Sequence, residues 1–346
     1  MSAQENAVLD ATERLLRAAC GDAILKSADT GNWCATLWDE VAAFGLPLAM
    51  VPEGYGGLGL SMVDAHGIAR LCGQFAIPLP VVETMLANWV LSVAGLPVAD
   101  GPKCLVFDGL SVVGTGAKRR MTGTCPSVPW GRRGAPVACA QQDGRWYVCA
   151  PDRAGIDPRE GTNIANEPRD TLTVDLDLSG GNCAVCQTAP DLLERAAALR
   201  CMQMAGAIAT IGEMTIAYAM EREQFDRPLA RFQAVQQALA VLAEQVALAS
   251  AAAQMAADAV SASGTRPLAI AVAKARIGEA AGDAAAIAHQ VHGAIGISQA
   301  YRLHYFTRRL WSWRDEFGNE THWLEAIGRS VAKAGPQRLW SELTAI

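Results

Sequence analysis

The sequence contains no cluster of basic residues. Its 29 Lys and Arg residues are outnumbered by 35 Asp and Glu residues, which gives a formal net charge of −6 at pH 7. Binding to a nucleic-acid backbone depends on clustered Lys and Arg side chains. We therefore expect no nucleic-acid partner for this protein.

Two kinds of long segment are also missing. We find no apolar run of about 18 residues, the length that suggests a membrane-spanning helix, and so expect no membrane partner. Residues 1–13 are polar and acidic, whereas a signal peptide has a basic stretch followed by an apolar one. These features predict a cytoplasmic location.

Regular cysteine spacing is absent as well. The ten cysteines are scattered along the chain, without the short and regular spacings of a disulfide framework, so we expect reduced thiols. Cys183 and Cys186 form the one CxxC motif, which has no second pair and no adjacent histidine. An isolated motif of this kind is weak evidence for a metal or redox site. We expect two strand cysteines at a domain edge, and no metal.

What the sequence does contain is a change of character along the chain. Hydrophobic residues make up 51% of the 346 residues, which suits a well-packed protein of two or three domains. Apolar residues recur at helical spacing up to about residue 100, short β-prone runs follow, and long Ala-rich helices return near residue 190. We predict a helical domain at 1–102, a β-domain at 103–188 and a helical bundle at 189–346.

The elements behind this division follow from periodicity, caps and helix breakers. The N-terminal helices are predicted at Glu5–Cys20, Cys34–Phe44, Ser61–Phe75 and Val82–Ala94, with Ser61 as N-cap and Asp64 three residues later. The strands are predicted at Cys104–Phe107, Val137–Ala140, Trp146–Cys149 and Leu172–Leu176. The bundle helices are predicted at Leu192–Arg222, Phe232–Ser261, Pro267–His292, Ala300–Phe317 and Thr321–Ala334.

One segment between the first two bundle helices carries the most specific motif. Residues 221–229 read EREQFDRPL, and FQAVQ follows at 232–236. The segment resembles the R-x-x-F-G…F-Q-x-x-Q turn of the acyl-CoA dehydrogenases. The resemblance implies that Arg222, Phe225 and Gln233 contact the FAD of a neighbouring subunit. A guanidinium fork beside a helix start suits a diphosphate. Asp226 stands where the family has Gly, and its charge would oppose a diphosphate.

Two further segments resemble the same family. Residues 290–296 read QVHGAIG and are similar to Q-x-x-G-G-x-G, which implies that Gln290, Gly293 and Gly296 bind FAD; Ala294 replaces the second Gly. Glycine at such a place ends a helix and lets backbone approach a ligand. Residues 51–60, VPEGYGGLGL, are similar to the family's P-E-x-Y-G-G-x-G-L-S segment. The family's fold is mainly α: an N-terminal helical domain, a middle β-barrel and a C-terminal four-helix bundle.

The β-domain resembles the family least. Its usual T-E-P-x-x-G-S-D segment, which touches the flavin ring, is missing, and residues 122–130 read TGTCPSVPW instead. Thr124, Ser127 and Trp130 are the residues there that we expect at the edge of the flavin. This shortened domain resembles a divergent bacterial branch that degrades bulky rings and side chains.

The family reaction needs a carboxylate base in a dry slot, with its pKa raised by burial. The family places this acid just before a Gly after the Q-x-x-G-G-x-G motif, or at the start of the first bundle helix. Here Phe317 precedes Gly318 and Glu316 lies one residue earlier, which is about 100° around a helix. The other place reads DLLER at 191–195 and offers Glu194. Three alternatives stay open: Glu194, Glu316, or no base in this chain.

The resemblance predicts an FAD-dependent acyl-CoA dehydrogenase subunit that forms an α,β double bond in an acyl-CoA with a bulky or steroid-type side chain. Its expected partners are the acyl-CoA substrate, a flavoprotein electron acceptor, and further subunits in a homo- or heterotetramer. The alternative is a non-catalytic structural subunit that lends Arg222 and Gln290 to a partner's FAD. Because one fold supports many reactions, other flavin chemistry is a third reading.

Overall fold

The computed structural model describes residues 3–186, 191–338 and 341. The chain divides into two compact units, each built from separate stretches of sequence. The bundle unit comprises Met1–Asp22, His66–Ile77 and Leu193–Ile346, and the sheet unit comprises Ala23–Ala65 and Pro78–Leu192. The three-domain division stays a prediction, and its boundary between 188 and 189 lies outside the described residues.

The secondary structure of the described residues is as follows, numbered in chain order. The α-helices are α1 (Ala3–Ala19), α2 (Asp22–Asp29), α3 (Ala35–Ala43), α4 (Met62–Gln74), α5 (Val81–Val93), α6 (Leu192–Glu221), α7 (Gln233–Asp258), α8 (Pro267–His292), α9 (Ala294–Ile297), α10 (Leu303–Asp315) and α11 (Glu320–Ala334). The strands are β1 (Lys103–Val106), β2 (Leu110–Val113), β3 (Arg120–Pro129), β4 (Ala135–Gln142), β5 (Arg145–Cys149), β6 (Ile156–Arg159), β7 (Arg169–Asp177), β8 (Cys183–Cys186), β9 (Glu223–Gln224), β10 (Arg227–Pro228), β11 (Val260–Ser261) and β12 (Gly264–Thr265).

The predicted helices are confirmed to within a few residues at each end. The cap predicted for α4 is present, because the backbone amide of Asp64 donates to Ser61 Oγ at 3.2 Å and Ser61 Oγ donates to the Asp64 carboxylate at 2.8 Å. Both ends of α8 fall where its first Pro and its terminal Gly predict. Helix α2 was missed, since eight residues give little more than two turns of periodicity.

Two four-stranded sheets form the β part of the sheet unit, in the orders β1-β4-β5-β8 and β2-β3-β7-β6. Apolar side chains from both sheets share one core, so the sheets face each other. The four predicted strands are confirmed as β1, β4, β5 and β7. Strands β2, β3 and β6 were missed: Gly and Pro interrupt β3, Asp and Pro interrupt β6, and β2 is a run of four residues without strict alternation.

The cysteine prediction was wrong for one pair. Cys149 in β5 and Cys183 in β8 are opposite each other in the ladder, with Cα atoms 4.2 Å apart, and form a disulfide. Because side chains alternate along a strand, Cys183 and Cys186 point to opposite faces of β8. The CxxC cysteines are therefore not a metal or redox pair, whereas the prediction that both lie in a strand is confirmed.

The bundle unit is held together by close contact between helices lined with small residues. The buried face of α8 is mostly alanine, and α8 packs against α7, α10 and α11. Helix α6 meets α4 where Gly206 faces the backbone of Arg70: a Cβ added at Gly206 would lie 2.0 Å from the Arg70 carbonyl oxygen. Thr210 Oγ1 donates to the Gln74 carbonyl oxygen one turn along, at 2.9 Å. This part confirms the predicted helical bundle.

Helix α7 differs from one expectation. Among the described residues it is the helix long and apolar enough to span a membrane, with a mean hydropathy of 1.4 over 18 residues, of which 28% are buried. The apolar helices of globular bundles have the same length and composition. Length and composition alone therefore do not make α7 a membrane span, although the expectation that no such stretch exists was wrong.

Candidate functional site

The turn between α6 and α7 is a tight hairpin. Strands β9 and β10 pair antiparallel, and the two residues between them, Phe225 and Asp226, have φ values of +53° and +59°. Two consecutive positive φ angles are the geometry of a type I′ turn. Aspartate tolerates that conformation, which accounts for Asp226 in a position where the family has glycine. A phenylalanine at positive φ is strained, as residues held ready for binding often are.

The hairpin presents its side chains to solvent. Arg222 is exposed at its base, and Phe225 is 87% exposed. The Phe232 ring contacts two side chains of the hairpin. The Arg227 guanidinium lies 4.0 Å from its centroid, and the Phe225 ring lies edge-on with its centroid 6.3 Å away. Gln233 is the first residue of α7 and is exposed. Three of the predicted FAD contacts thus form one open surface.

The end of α8 forms a second exposed turn. Gly293 terminates the helix with φ +61° and ψ −141°, a conformation that requires glycine, and a Cβ there would meet open space. Gln290, in the last helical turn, is also exposed. Gly296 is different: it is buried, and a Cβ would lie 2.9 Å from the His292 Cβ atom. Gly293 and Gln290 are open to a ligand, whereas Gly296 serves packing.

The two turns lie at the same end of the bundle unit. Tyr218, in the last turn of α6, stacks on His292, the last residue of α8, with ring centroids 4.5 Å apart. The Arg222 amide donates to the Tyr218 carbonyl oxygen, so the hairpin begins one turn beyond this contact. The structure therefore brings together the Arg222 hairpin and the Gly293 turn, which are 71 positions apart along the chain (293 − 222).

Glu316 lies at the end of α10 and is paired with a buried arginine. Its carboxylate is 2.7 Å from the Arg200 guanidinium, with side-chain exposures of 9% for Glu316 and 2% for Arg200. The guanidinium carbon also lies 5.5 Å from the Trp313 ring and 5.2 Å from the Phe317 ring. The family's base is expected in an apolar slot, where desolvation favours the protonated form of the acid. A carboxylate paired with a guanidinium is in a different environment, because the positive charge favours the ionised form.

Lys274, on α8, completes this buried cluster. Its ammonium donates to the carbonyl oxygens of Arg314 at 2.8 Å and Gly318 at 2.9 Å. Burial lowers the pKa of Lys274 to about 8. The ammonium thus holds the turn in which Phe317, with φ +56°, precedes Gly318. Lys274 and Arg200 were not predicted from the sequence; for Lys274 the available signal was a single cation on the mostly alanine buried face of α8.

Glu194 lies in the first turn of α6 and is half-buried. Among the described residues no ion pair involves it, and an acid in a first turn also complements the helix dipole. Glu194 and Glu316 lie on different elements, α6 and the end of α10, and have different surroundings. The assignment of either residue as the base stays a prediction.

Thr124 and Ser127 belong to the sheet unit. Thr124 is exposed on β3, with its Oγ1 atom 3.5 Å from the Thr173 Oγ1 atom of β7. Ser127 is exposed in the bulge of β3 and has a φ of +53°. Bulges re-aim side chains next to functional sites. The flavin contacts predicted for these residues stay predictions.

The comparisons with known proteins agree with the sequence motifs. Residues 2–97 match the acyl-CoA dehydrogenase N-terminal domain, and residues 187–332 match the acyl-CoA dehydrogenase C-terminal domain. Acyl-CoA dehydrogenase FadE34 of Mycobacterium tuberculosis is 30% identical over 328 residues, which cover 90% of this chain and 44% of FadE34. The chain thus spans less than half the length of that relative. Acyl-CoA dehydrogenase IpdE2 of the same organism is 28% identical over 79% of this chain and 78% of its own.

Solved structures show the same fold. A variant of the Tcur3481–Tcur3483 steroid ACAD matches with a TM-score of 0.86 and 22% identity, covering 96% of this chain and 98% of that one. The ChsE4–ChsE5 complex of Mycobacterium tuberculosis matches with a TM-score of 0.83 and 20% identity, covering 97% and 99%. The motifs, the fold and the two domain matches together make this chain a member of the acyl-CoA dehydrogenase family.

Proposed function

We propose that the chain is a subunit of an FAD-dependent acyl-CoA dehydrogenase that introduces an α,β double bond into an acyl-CoA with a bulky, steroid-type side chain. The observation that carries the proposal is the pair of open turns at one end of the bundle unit, which presents Arg222 beside a helix end closed by Gly293. The steroid ACAD among the similar structures supports the substrate class, and the ChsE4–ChsE5 complex supports a heteromeric assembly.

The residues at these turns fit the diphosphate of FAD. The Arg222 guanidinium supplies the cation, the amides of Gln233 and Gln290 supply neutral donors, and Gly293 leaves room for close backbone approach. The Asp226 carboxylate in the hairpin opposes this charge and weakens the site. When bound, FAD would supply the hydride acceptor of the reaction, while the protein supplies position and polarity.

Proton removal is the step that the chain's own residues must supply. Glu194 is the better candidate for the base in this chain, because it is half-buried and lacks an ion pair among the described residues. Glu316 is the weaker candidate, because its carboxylate already pairs with Arg200. The proposed reaction removes the α-proton of the thioester to the carboxylate as the β-hydrogen leaves as hydride.

The Glu316–Arg200 pair favours a second candidate function. In the family the base stands just before this glycine, whereas this chain has Phe317 before Gly318. The neighbouring acid, Glu316, forms an ion pair with the buried Arg200 guanidinium, which also lies against the Phe317 ring. Under this reading the chain is a non-catalytic subunit that lends Arg222 and Gln290 to the FAD of a partner chain. A cytoplasmic location and a flavoprotein electron acceptor belong to the same proposal, although the Cys149–Cys183 disulfide weighs against the location.

Purification of the chain alone and with co-purifying partners tests both candidates. A yellow chain with one FAD per active site, which reduces an electron acceptor when a steroid-type acyl-CoA is added, supports the enzyme. A chain that is colourless alone and yellow only in a complex supports the structural subunit. If neither preparation binds FAD, the proposed function is wrong.

Substitution of the two acids then locates the base. Glu194→Gln lowers kcat by at least about 100-fold if Glu194 is the base, the low end of the contribution of a general base. Glu316→Gln serves as the comparison and leaves kcat within severalfold, provided that the variant is folded. Unchanged turnover in both variants excludes both residues as the base.

A further inference from the structure

Three aromatic side chains form a cluster where the two open turns meet. His292 stacks on Tyr218 with ring planes 22° apart. Its ring centroid lies 5.0 Å from that of Tyr301, which stands two residues before α10 and approaches Tyr218 edge-on at 6.1 Å. None of the three was predicted from the sequence to contact the cofactor. His292 is 3% exposed, so its ring is not available to bind a ligand directly.

The hydrogen bonds of His292 fix which ring nitrogen carries the hydrogen in the neutral imidazole. Its Nδ1 atom is 2.8 Å from the Ala288 carbonyl oxygen and its Nε2 atom is 3.2 Å from the Tyr301 hydroxyl. A carbonyl oxygen only accepts, so Nδ1 carries the hydrogen, and Nε2 of the neutral ring accepts from Tyr301. Burial lowers the pKa of His292 and raises the pKa of Tyr301, and both shifts favour the neutral forms.

The cluster is joined directly to the backbone of both turns. Gly293 follows His292 in sequence, and the Arg222 amide donates to the Tyr218 carbonyl oxygen at 2.9 Å. Gly296 packs on the other side of His292, where an added Cβ would lie 2.9 Å from the His292 Cβ atom. Movement of the His292 ring would therefore displace the Gly293 turn and loosen the end of α6.

We propose that His292 is a positioning residue: through its contacts with Tyr218 and Tyr301 it holds the Arg222 hairpin and the Gly293 turn at the spacing that a dinucleotide diphosphate requires. The inference rests on the proposed function, because it assumes that these turns bind FAD. We call the Arg222 hairpin and the Gly293 turn together the clasp. A site whose loops are already ordered binds more tightly than one with mobile loops, since the ordering of loops opposes association.

The test compares FAD binding by the full-length chain, in its co-purifying complex where one forms, with binding by three variants. His292→Phe keeps an aromatic ring but loses both hydrogen bonds, and Tyr301→Phe loses only the hydroxyl. His322→Phe is the matched control, because this exposed histidine on α11 has, in the part of the chain that the structure describes, Trp323 as its one ring neighbour. Titration with FAD, followed by flavin fluorescence, gives the dissociation constant at a temperature where every variant is folded.

The expected result is a dissociation constant raised about tenfold in His292→Phe, which corresponds to about 1.4 kcal/mol, and severalfold in Tyr301→Phe, with His322→Phe unchanged. At saturating FAD, kcat and the KM for acyl-CoA return to the wild-type values, because only the clasp is loosened. If His292→Phe does not fold, Tyr301→Phe decides.

Two outcomes contradict the inference in different ways. If the wild type binds FAD and the folded His292 and Tyr301 variants bind it equally tightly, His292 has no positioning role and the proposed function survives. If excess FAD does not restore kcat, the cluster is merely structural and the inference is wrong. Absence of FAD binding in the wild type overturns the proposed function itself.

Discussion

The Glu316–Arg200 pair allows a prediction that separates structure from catalysis. Glu316→Gln removes the carboxylate that pairs with Arg200, whose side chain is 2% exposed. Removal of one partner of a buried pair costs about 3–5 kcal/mol, because the remaining charge stays buried. Gln still offers an acceptor, and Gln203 accepts from Arg200, so we expect a value near the low end, about 3 kcal/mol. That loss is a large part of the total stability of about 5–15 kcal/mol of a native protein.

Urea unfolding monitored by circular dichroism measures this loss. The control is Glu279→Gln, whose carboxylate is 45% exposed and pairs with Arg276 on the same helix; it should change stability by about 0.2–0.5 kcal/mol. The double variant Arg200→Met with Glu316→Met should recover most of the loss, since apolar replacement of a buried pair is often neutral. A Glu316→Gln protein of unchanged stability and abolished turnover would refute the reasoning and identify Glu316 as the base.

Three further predictions concern stability. Reduction of the Cys149–Cys183 bond, which joins residues 34 positions apart, should lower the free energy of unfolding by about 3–4 kcal/mol; a variant with both cysteines changed to serine should not respond to reductant. Gly206→Ala should destabilise the chain by about 1–3 kcal/mol in urea unfolding, because the added Cβ collides with the α4 backbone. The control Gly328→Ala, which has open space around the added Cβ, should stabilise the chain by about 0.5–1 kcal/mol. Equal effects of the two substitutions would contradict the packing argument. The pKa of Lys274 is lowered from 10.5 to about 8, so between pH 8 and pH 10.5 the unfolded chain binds more protons than the folded chain. The free energy of unfolding therefore gains a contribution from Lys274 that rises with pH over this range. The difference in unfolding free energy between wild type and Lys274→Met should show that rise, and a difference that does not change with pH would contradict it.

Local patterns in the sequence were sufficient for most helices. The Ser61 cap, the Pro267 start and the Gly293 stop act within one or two turns, so they can be read without knowledge of the fold. The Arg222 motif was identified in the same way, and its hairpin explains Asp226 through a local φ requirement. The strands were predicted less well: β2, β3 and β6 were missed, and β3 is paired along its length with β7, which is distant in sequence.

The sequence by itself determined the order of helical and β segments and the family motifs, since these depend on periodicity and on neighbours along the chain. Only the tertiary structure decided which side chains meet: Cys149 with Cys183, Glu316 with Arg200, and His292 with Tyr218 and Tyr301. These contacts join residues from 9 to 116 positions apart, taken as 301 − 292 and 316 − 200. The partner of a buried charge or thiol is set by the packing of whole elements, which no local pattern encodes.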